Sequence, residues 1–135
     1  MPVIGLDHVN IVAADLEASA RFYADVLGLE RRDRPGAAVP GRGAWLCAGD
    51  GRAIVHLGSA ARPGDESGAG GGSTGAINHV AFACEDFDAM VARLARLGVA
   101  YRASAPAGIG FRQIFLSDPD GVTLELNFAD RVADL

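Results

Sequence analysis

Gly5-Leu6-Asp7-His8-Val9-Asn10-Ile11-Val12 returns later in the chain as Ala76-Ile77-Asn78-His79-Val80-Ala81-Phe82-Ala83. Each copy sets a histidine in a short alternating apolar run, the period-two pattern of a half-buried strand. An acidic residue follows at the position of a helix N-cap, Asp15 in one copy and Asp86 in the other, and a helix with an apolar stripe comes next. The repeat runs further: Asp50-Gly51 leading to Ile54-Val55-His56-Leu57 matches Asp120-Gly121 leading to Thr123-Leu124-Glu125-Leu126. The chain is one plan written twice, and His56 and Glu125 fall at corresponding positions.

In the first module, residues 1–58, the pattern predicts a strand over 6–12 and a helix over 16–27. Leu16, Ala20, Tyr23 and Leu27 form the helix stripe, and Gly28 supplies a left-handed stop. A second strand starts at Leu29 to Asp33, and Arg34-Pro35-Gly36 and Pro40-Gly41 break the chain. Strands at Ala44 to Cys47 and Ala53 to Leu57 follow, joined by Gly49-Asp50-Gly51. Residues 59–75 change to Gly, Ser, Ala and charge. No Lys-Ser/Thr pair follows the glycine run, which leads into a strand, so a phosphate loop is rejected in favour of a flexible linker. The second module, residues 76–135, repeats the plan with Phe87, Met90, Val91 and Leu94 as helix stripe and Gly98 as stop. Its strands are expected at 100–103, 112–117 and 122–128. Asp118-Pro119-Asp120-Gly121 is a type I turn signal and reads as a hairpin. The expectation is an α+β fold: tandem βαβββ modules in one structural domain, whose curved mixed sheet carries helices on one side and a metal cleft on the other.

Composition limits the partners. With 135 residues, half of them apolar, the chain has enough material for a core. A net charge of −5 argues against nucleic acid or an anionic membrane. No apolar run reaches the roughly 20 residues of a membrane span, and Met1-Pro2-Val3-Ile4 lacks signal-peptide features, so a cytoplasmic location is expected. Cys47 and Cys84 lack metal-site spacing and read as reduced, mostly buried thiols.

Strand parity separates the chemistry from the core. Leu124, Leu126 and Phe128 point one way while Thr123, Glu125 and Asn127 point the other, and Val55 and Leu57 likewise oppose Ile54 and His56. His8, His56 and His79 are the only histidines. With Glu125 they occupy the polar face of four corresponding strands, two half-sites that together make one metal site. A single such histidine would be an ordinary partly buried residue; three with a carboxylate on symmetry-related strands form a ligand set. Imidazoles with one carboxylate suit Fe, Mn, Ni, Co or Zn as a single divalent ion, able to polarise a carbonyl, stabilise an enolate or activate dioxygen. His56 is the least certain member, standing equally well behind the ligands. The same parity nominates Asn10, Trp45, Cys47, Phe111, Gln113 and Phe115 as pocket wall, although Trp45 and Phe115 suit a core as well. Arg42 and Arg112 correspond across the repeat and are candidates for holding a carboxylate or phosphate, or for solvated surface.

On Leu6-Asp7-His8-Val9, Arg21-Phe22-Tyr23 with Leu27-Gly28-Leu29, Asn78-His79-Val80-Ala81-Phe82, and Asp118-Pro119-Asp120-Gly121 with Leu124-Glu125-Leu126, the sequence resembles the vicinal oxygen chelate superfamily. That group includes glyoxalase I, methylmalonyl-CoA epimerase, extradiol dioxygenases, fosfomycin-resistance thiol transferases and bleomycin-resistance proteins. The resemblance spans about Leu6 to Phe128. It implies that His8, His79 and Glu125 are metal ligands, and it places His56 where the glyoxalases and epimerases carry Glu or Gln. It also implies an intimate homodimer.

Three functions follow as expectations for a small-molecule substrate. The first is a glyoxalase- or epimerase-like lyase or isomerase, with Glu125 or His56 among the catalytic groups. The second is an Fe(II)-dependent extradiol-type dioxygenase. The third is a bleomycin-resistance-like protein that sequesters a drug or other ligand. The intact ligand set counts against the third. The second ranks below the first because a metal-bound His56 leaves no histidine for acid–base work; Tyr23 lies on the helix stripe and Tyr101 near the start of a strand.

Overall fold

The computed structural model describes residues 2–35, 43–59, 74–106, 108 and 110–129. The chain divides into two compact units, Met1–Gly72 and Ser73–Leu135. Among the described residues each unit has one helix and four strands in βαβββ order: β1 (Val9–Ala13), α1 (Leu16–Asp25), β2 (Glu30–Asp33), β3 (Gly43–Cys47) and β4 (Ala53–Ser59), then β5 (Val80–Cys84), α2 (Phe87–Leu97), β6 (Arg102–Ser104), β7 (Phe111–Ser117) and β8 (Thr123–Ala129). The sheets have matching orders, β1-β4-β3-β2 and β5-β8-β7-β6. In both, the first and last strands pair in parallel and the other pairs are antiparallel. This is the expected α+β plan. Most of the expected linker, residues 60–73, lies outside the described residues, as do Arg42 and residues 130–135.

Local chemistry explains the repeat. Asp15 Oδ1 accepts the amide of Ala18, and Asp86 Oδ1 that of Ala89, each at 3.0 Å. Both helices are thus capped as their sequence requires. Gly98, at φ 68°, ends α2, and the Val99 amide reaches back to the Leu94 carbonyl at 2.9 Å. The left-handed backbone there suits a residue without Cβ. The last two strands of each unit join through the same turn. The Gly51 amide donates to the Ala48 carbonyl at 2.9 Å, and the Gly121 amide to Asp118 at 3.1 Å. Asp118 is buried, and its Oδ1 accepts the amides of Asp120 and Val122, so the Asp-Pro-Asp-Gly motif is the hairpin its sequence suggested.

Leu16, Ala20 and Tyr23 of the first expected stripe and Leu94 of the second are buried, while Leu27, Phe87, Met90 and Val91 are half-buried. Leu16, Ala20, Tyr23 and Val26 pack with Ile11, Ala13, Ala44, Leu46, Val55 and Leu57, all buried. In the second unit Leu94, Ile114, Leu116, Leu124, Leu126 and Phe128 are buried, and Phe87 meets Phe128 edge to face at 5.5 Å. Both cysteines are free thiols. The register against β4 shifts between Leu46 and Cys47, while against β2 Cys47 keeps the parity of Trp45, opposite Glu30 as Trp45 is opposite Arg32; Cys47 is buried. Among the described residues, no helix is long and apolar enough to cross a membrane.

Candidate functional site

The second unit brings two expected ligands together. Ala81 pairs with Glu125, and β5 begins one residue after His79, so His79 stands on the Glu125 face ahead of the ladder. His79 Nε2 lies 3.4 Å from Glu125 Oε1. The second atom of each group is already committed: Nδ1 of His79 lies 2.8 Å from Asn78 Oδ1, and the Asn127 amide donates to Glu125 Oε2 at 2.8 Å. With Nδ1 donating, Nε2 keeps its lone pair and faces a carboxylate oxygen. Two such acceptors repel unless a cation or a proton sits between them. Two donors each about 2.1 Å from one ion stand about 3.0–3.4 Å apart at ordinary ligand angles, so this pair fits a divalent metal.

Asn127 is the residue that sequence reasoning left out of the site. It pairs across the strands with Gln113, whose Nε2 donates to Asn127 Oδ1 at 3.3 Å. Gln113, Asn127 and Glu125 form a chain of donors in one direction, ending on the carboxylate. The signal was available: Asn127 shares Glu125's face two residues on, and parity places Gln113 opposite it.

The first unit holds its candidates differently. Asn10, His56 and Trp45 form one cross-strand row. The His56 ring stacks on Trp45 at 4.3 Å and 11°, and on His8 at 3.7 Å and 15°. Nearly parallel rings send their in-plane lone pairs along parallel lines, so His8 and His56 in this arrangement do not converge on one ion. The expectation that His56 is a fourth ligand beside His8 gains no support from this stacking. His8 Nδ1 lies 2.6 Å from Asp7 Oδ2, and this hydrogen bond holds the Asp7 carboxyl below its usual range. Nε2 of His8 is then the free nitrogen. Burial, with His8 beside it, lowers the pKa of His56 and keeps it neutral at pH 7. Trp45 Nε1 is buried with no acceptor among the described residues, the kind of uncompensated donor that finished cores avoid. Also among the described residues, no three His, Cys, Asp or Glu side chains form a metal-sized group.

The remaining wall residues divide. Phe115 pairs with Glu125 and Phe111 shares its parity, so both lie on the site face. Arg112 pairs with Phe128 on the opposite face, and its guanidinium lies 4.2 Å over the Phe87 ring. Its nomination as a substrate contact is withdrawn for that reason: strand parity carries it to the helix side. On the site face the structure offers Arg102 instead, in register with Phe115.

Known proteins share this architecture. The profile of the Glyoxalase/Bleomycin resistance protein/Dioxygenase superfamily matches residues 5–126. An Arabidopsis thaliana protein described as Glyoxylase I 4 is 33% identical over 124 residues, covering 90% of this chain and 68% of its own length. A glyoxylase/bleomycin resistance protein/dioxygenase domain from Frankia sp. EAN1pec superposes with a TM-score of 0.71 at 20% identity, over 96% of this chain and 95% of that one. A lactoylglutathione lyase from Agrobacterium tumefaciens does so with a TM-score of 0.67 at 23% identity, over 95% and 96%. At such identities the two structures speak for the fold alone. The profile spans both copies of the repeat, from the residues that lead into His8 to those that flank Glu125, and with the Arabidopsis relative it shows that the chain belongs to the glyoxalase/bleomycin resistance protein/dioxygenase superfamily.

Proposed function

We propose that this chain is a divalent-metal-dependent enzyme acting on a small oxygen-chelating substrate, a glyoxalase- or epimerase-like lyase or isomerase that moves a proton beside a carbonyl. The observation that carries this is the His79–Glu125 pair, two acceptor atoms 3.4 Å apart whose partner atoms are already hydrogen-bonded. His79 and Glu125 would hold the ion, with His8 as the further donor that the sequence assigns. The metal's contribution would be Lewis acidity toward a chelated carbonyl, which acidifies the neighbouring C–H. Glu125, only 12% exposed in its side chain, is the candidate base, with its carboxylate oriented by Asn127. Asn10, Trp45, Phe111, Gln113 and Phe115 are the proposed substrate contacts.

The stacking of His56 favours a second reading. A histidine kept neutral and off the metal is available as an acid–base catalyst, which an Fe(II) extradiol-type dioxygenase would use.

Elemental analysis of untagged protein tests the metal. One divalent ion per chain is expected in the wild type, with loss in His79→Ala and in Glu125→Ala; stoichiometric metal surviving in both variants would overturn the assignment. Metal-loaded protein is then offered 2-oxoaldehyde adducts, epimerisable acyl thioesters and, anaerobically with Fe(II) before air, a catechol. Ring-opening turnover that His56→Ala removes without loss of iron would replace the first reading by the second.

A further inference from the structure

We propose that Arg102 is an anion-binding position on the site face of the second unit, taking a carboxylate at the end of the substrate remote from its chelating oxygens. The proposal rests on the reading that His79 and Glu125 receive the chelating end. Its basis is a row of register pairs: Arg102 on β6 stands opposite Phe115 on β7, which stands opposite Glu125 on β8. Paired residues on neighbouring strands project to the same side, so all three share one face. The Arg102 guanidinium lies over the Phe115 ring, 4.5 Å from its centroid. That contact seats the guanidinium beside the ring on the site face, and its planar set of N–H donors suits a carboxylate. Two strand spacings, about 10 Å, separate the β6 and β8 positions of the row, a span that a metal ion, a short dicarboxylate and its hydrogen bonds to the guanidinium cover together.

The first unit shows what a satisfied arginine looks like in the same place. Arg32 stands opposite Trp45, which stands opposite His56, the matching row. Arg32 Nε donates to Glu30 at 3.0 Å, two residues earlier on the same strand. The residue two before Arg102 is Ala100, and among the described residues Arg102 forms no ion pair. The repeat kept the cation and lost its internal counter-ion only in the unit that carries the carboxylate–histidine pair. An external anion completes that position as Glu30 completes Arg32.

The test compares 2-oxoglutarate with 2-oxopentanoate, which share a chelating end and differ in the charge of the tail. Calorimetry on zinc-loaded wild type, Arg102→Gln and Arg102→Lys reads the preference. Wild type should bind 2-oxoglutarate about tenfold more tightly, Arg102→Gln should lose that preference with 2-oxopentanoate unchanged, and Arg102→Lys should recover part of it. A wild type without preference, or an Arg102→Gln that retains it, overturns the proposal. A metal-free arm separates the two readings: glutarate titrated into apoprotein should shift the Arg102 Nε–H resonance. That shift without any keto-acid binding would reject the metal reading and keep the anion position; no shift and no binding would reject both.

Discussion

The two units share a scaffold and differ almost wherever a side chain reaches the site face. N-cap aspartates, hairpin turns and strand order recur at matching positions. On the site face, the cross-strand pair Trp45–His56 corresponds to Phe115–Glu125, and the next pair along, Gly43–Gly58, corresponds to Gln113–Asn127. The first unit thus stacks aromatic rings beside a pair of glycines, while the second threads amides onto a carboxylate. The histidines differ in the same sense: His8 leans on a carboxylate, Asp7, and His79 on an amide, Asn78. A duplicated frame needs its turns, caps and apolar stripes in both copies to fold, but its polar rows are free to diverge.

The largest expected effect breaks the amide relay that the first unit lacks. Asn127→Leu removes the donor to Glu125 Oε2 while filling a similar volume, and metal affinity should fall about 10- to 100-fold, by analogy with other hydrogen-bond partners of metal ligands. Gly58→Asn, at the matching position where an added Cβ meets nothing within 4 Å, should leave affinity unchanged. Competition of each variant against a chelator of known affinity decides, and equal affinities in wild type and Asn127→Leu would remove the relay from the site.

The helix caps offer a sharper comparison of the scaffold itself. Asp15 caps α1 from extended backbone at φ −126°, whereas Asp86 caps α2 from the left-handed region at φ 66°. Asp15→Ala should cost about 1 kcal/mol for the lost cap. Asp86→Ala should cost about 1 kcal/mol more, because alanine tolerates the left-handed region less well than aspartate. Asp86→Gly should recover that excess. Urea denaturation of the three variants measures the order, and equal losses in both alanine variants would show that the left-handed cap relaxes.

The smallest effect is a pH response confined to the first unit. Arg31 grips Glu17 through two hydrogen bonds of 2.6 and 2.8 Å, which hold the Glu17 carboxyl below the usual glutamate range. Tyr101 stands where the second unit would need that arginine. A depressed carboxylate contributes stability above its unfolded pKa and loses it as pH falls through the lower folded value. The Glu17 side-chain carbon resonance should therefore titrate below the ordinary glutamate range and return to it in Arg31→Ala. The pair is exposed, so the accompanying change in melting temperature should be slight.

Much of this was legible without coordinates. The repeat, the βαβββ plan, both caps and the sorting of Leu124, Leu126 and Phe128 from Glu125 follow from period and turn chemistry, which act over a few residues. Arg112 shows where parity was available and not applied: its alternation with Gln113 already put it on the helix face, and the Phe87 ring then claims it. The register shift against β4 after Leu46 shows the opposite case, since it has no sequence signature.

The sequence by itself determined which residues share a face, because alternation along a strand is built into the backbone. Only the tertiary structure decided what those residues do to one another. That His56 lies between Trp45 and His8, that Asn127 ties one oxygen of Glu125 and leaves the other to His79, and that Arg102 folds over Phe115 all depend on strand register and side-chain rotamers. Those are set by packing between segments distant in the chain, which no local pattern encodes.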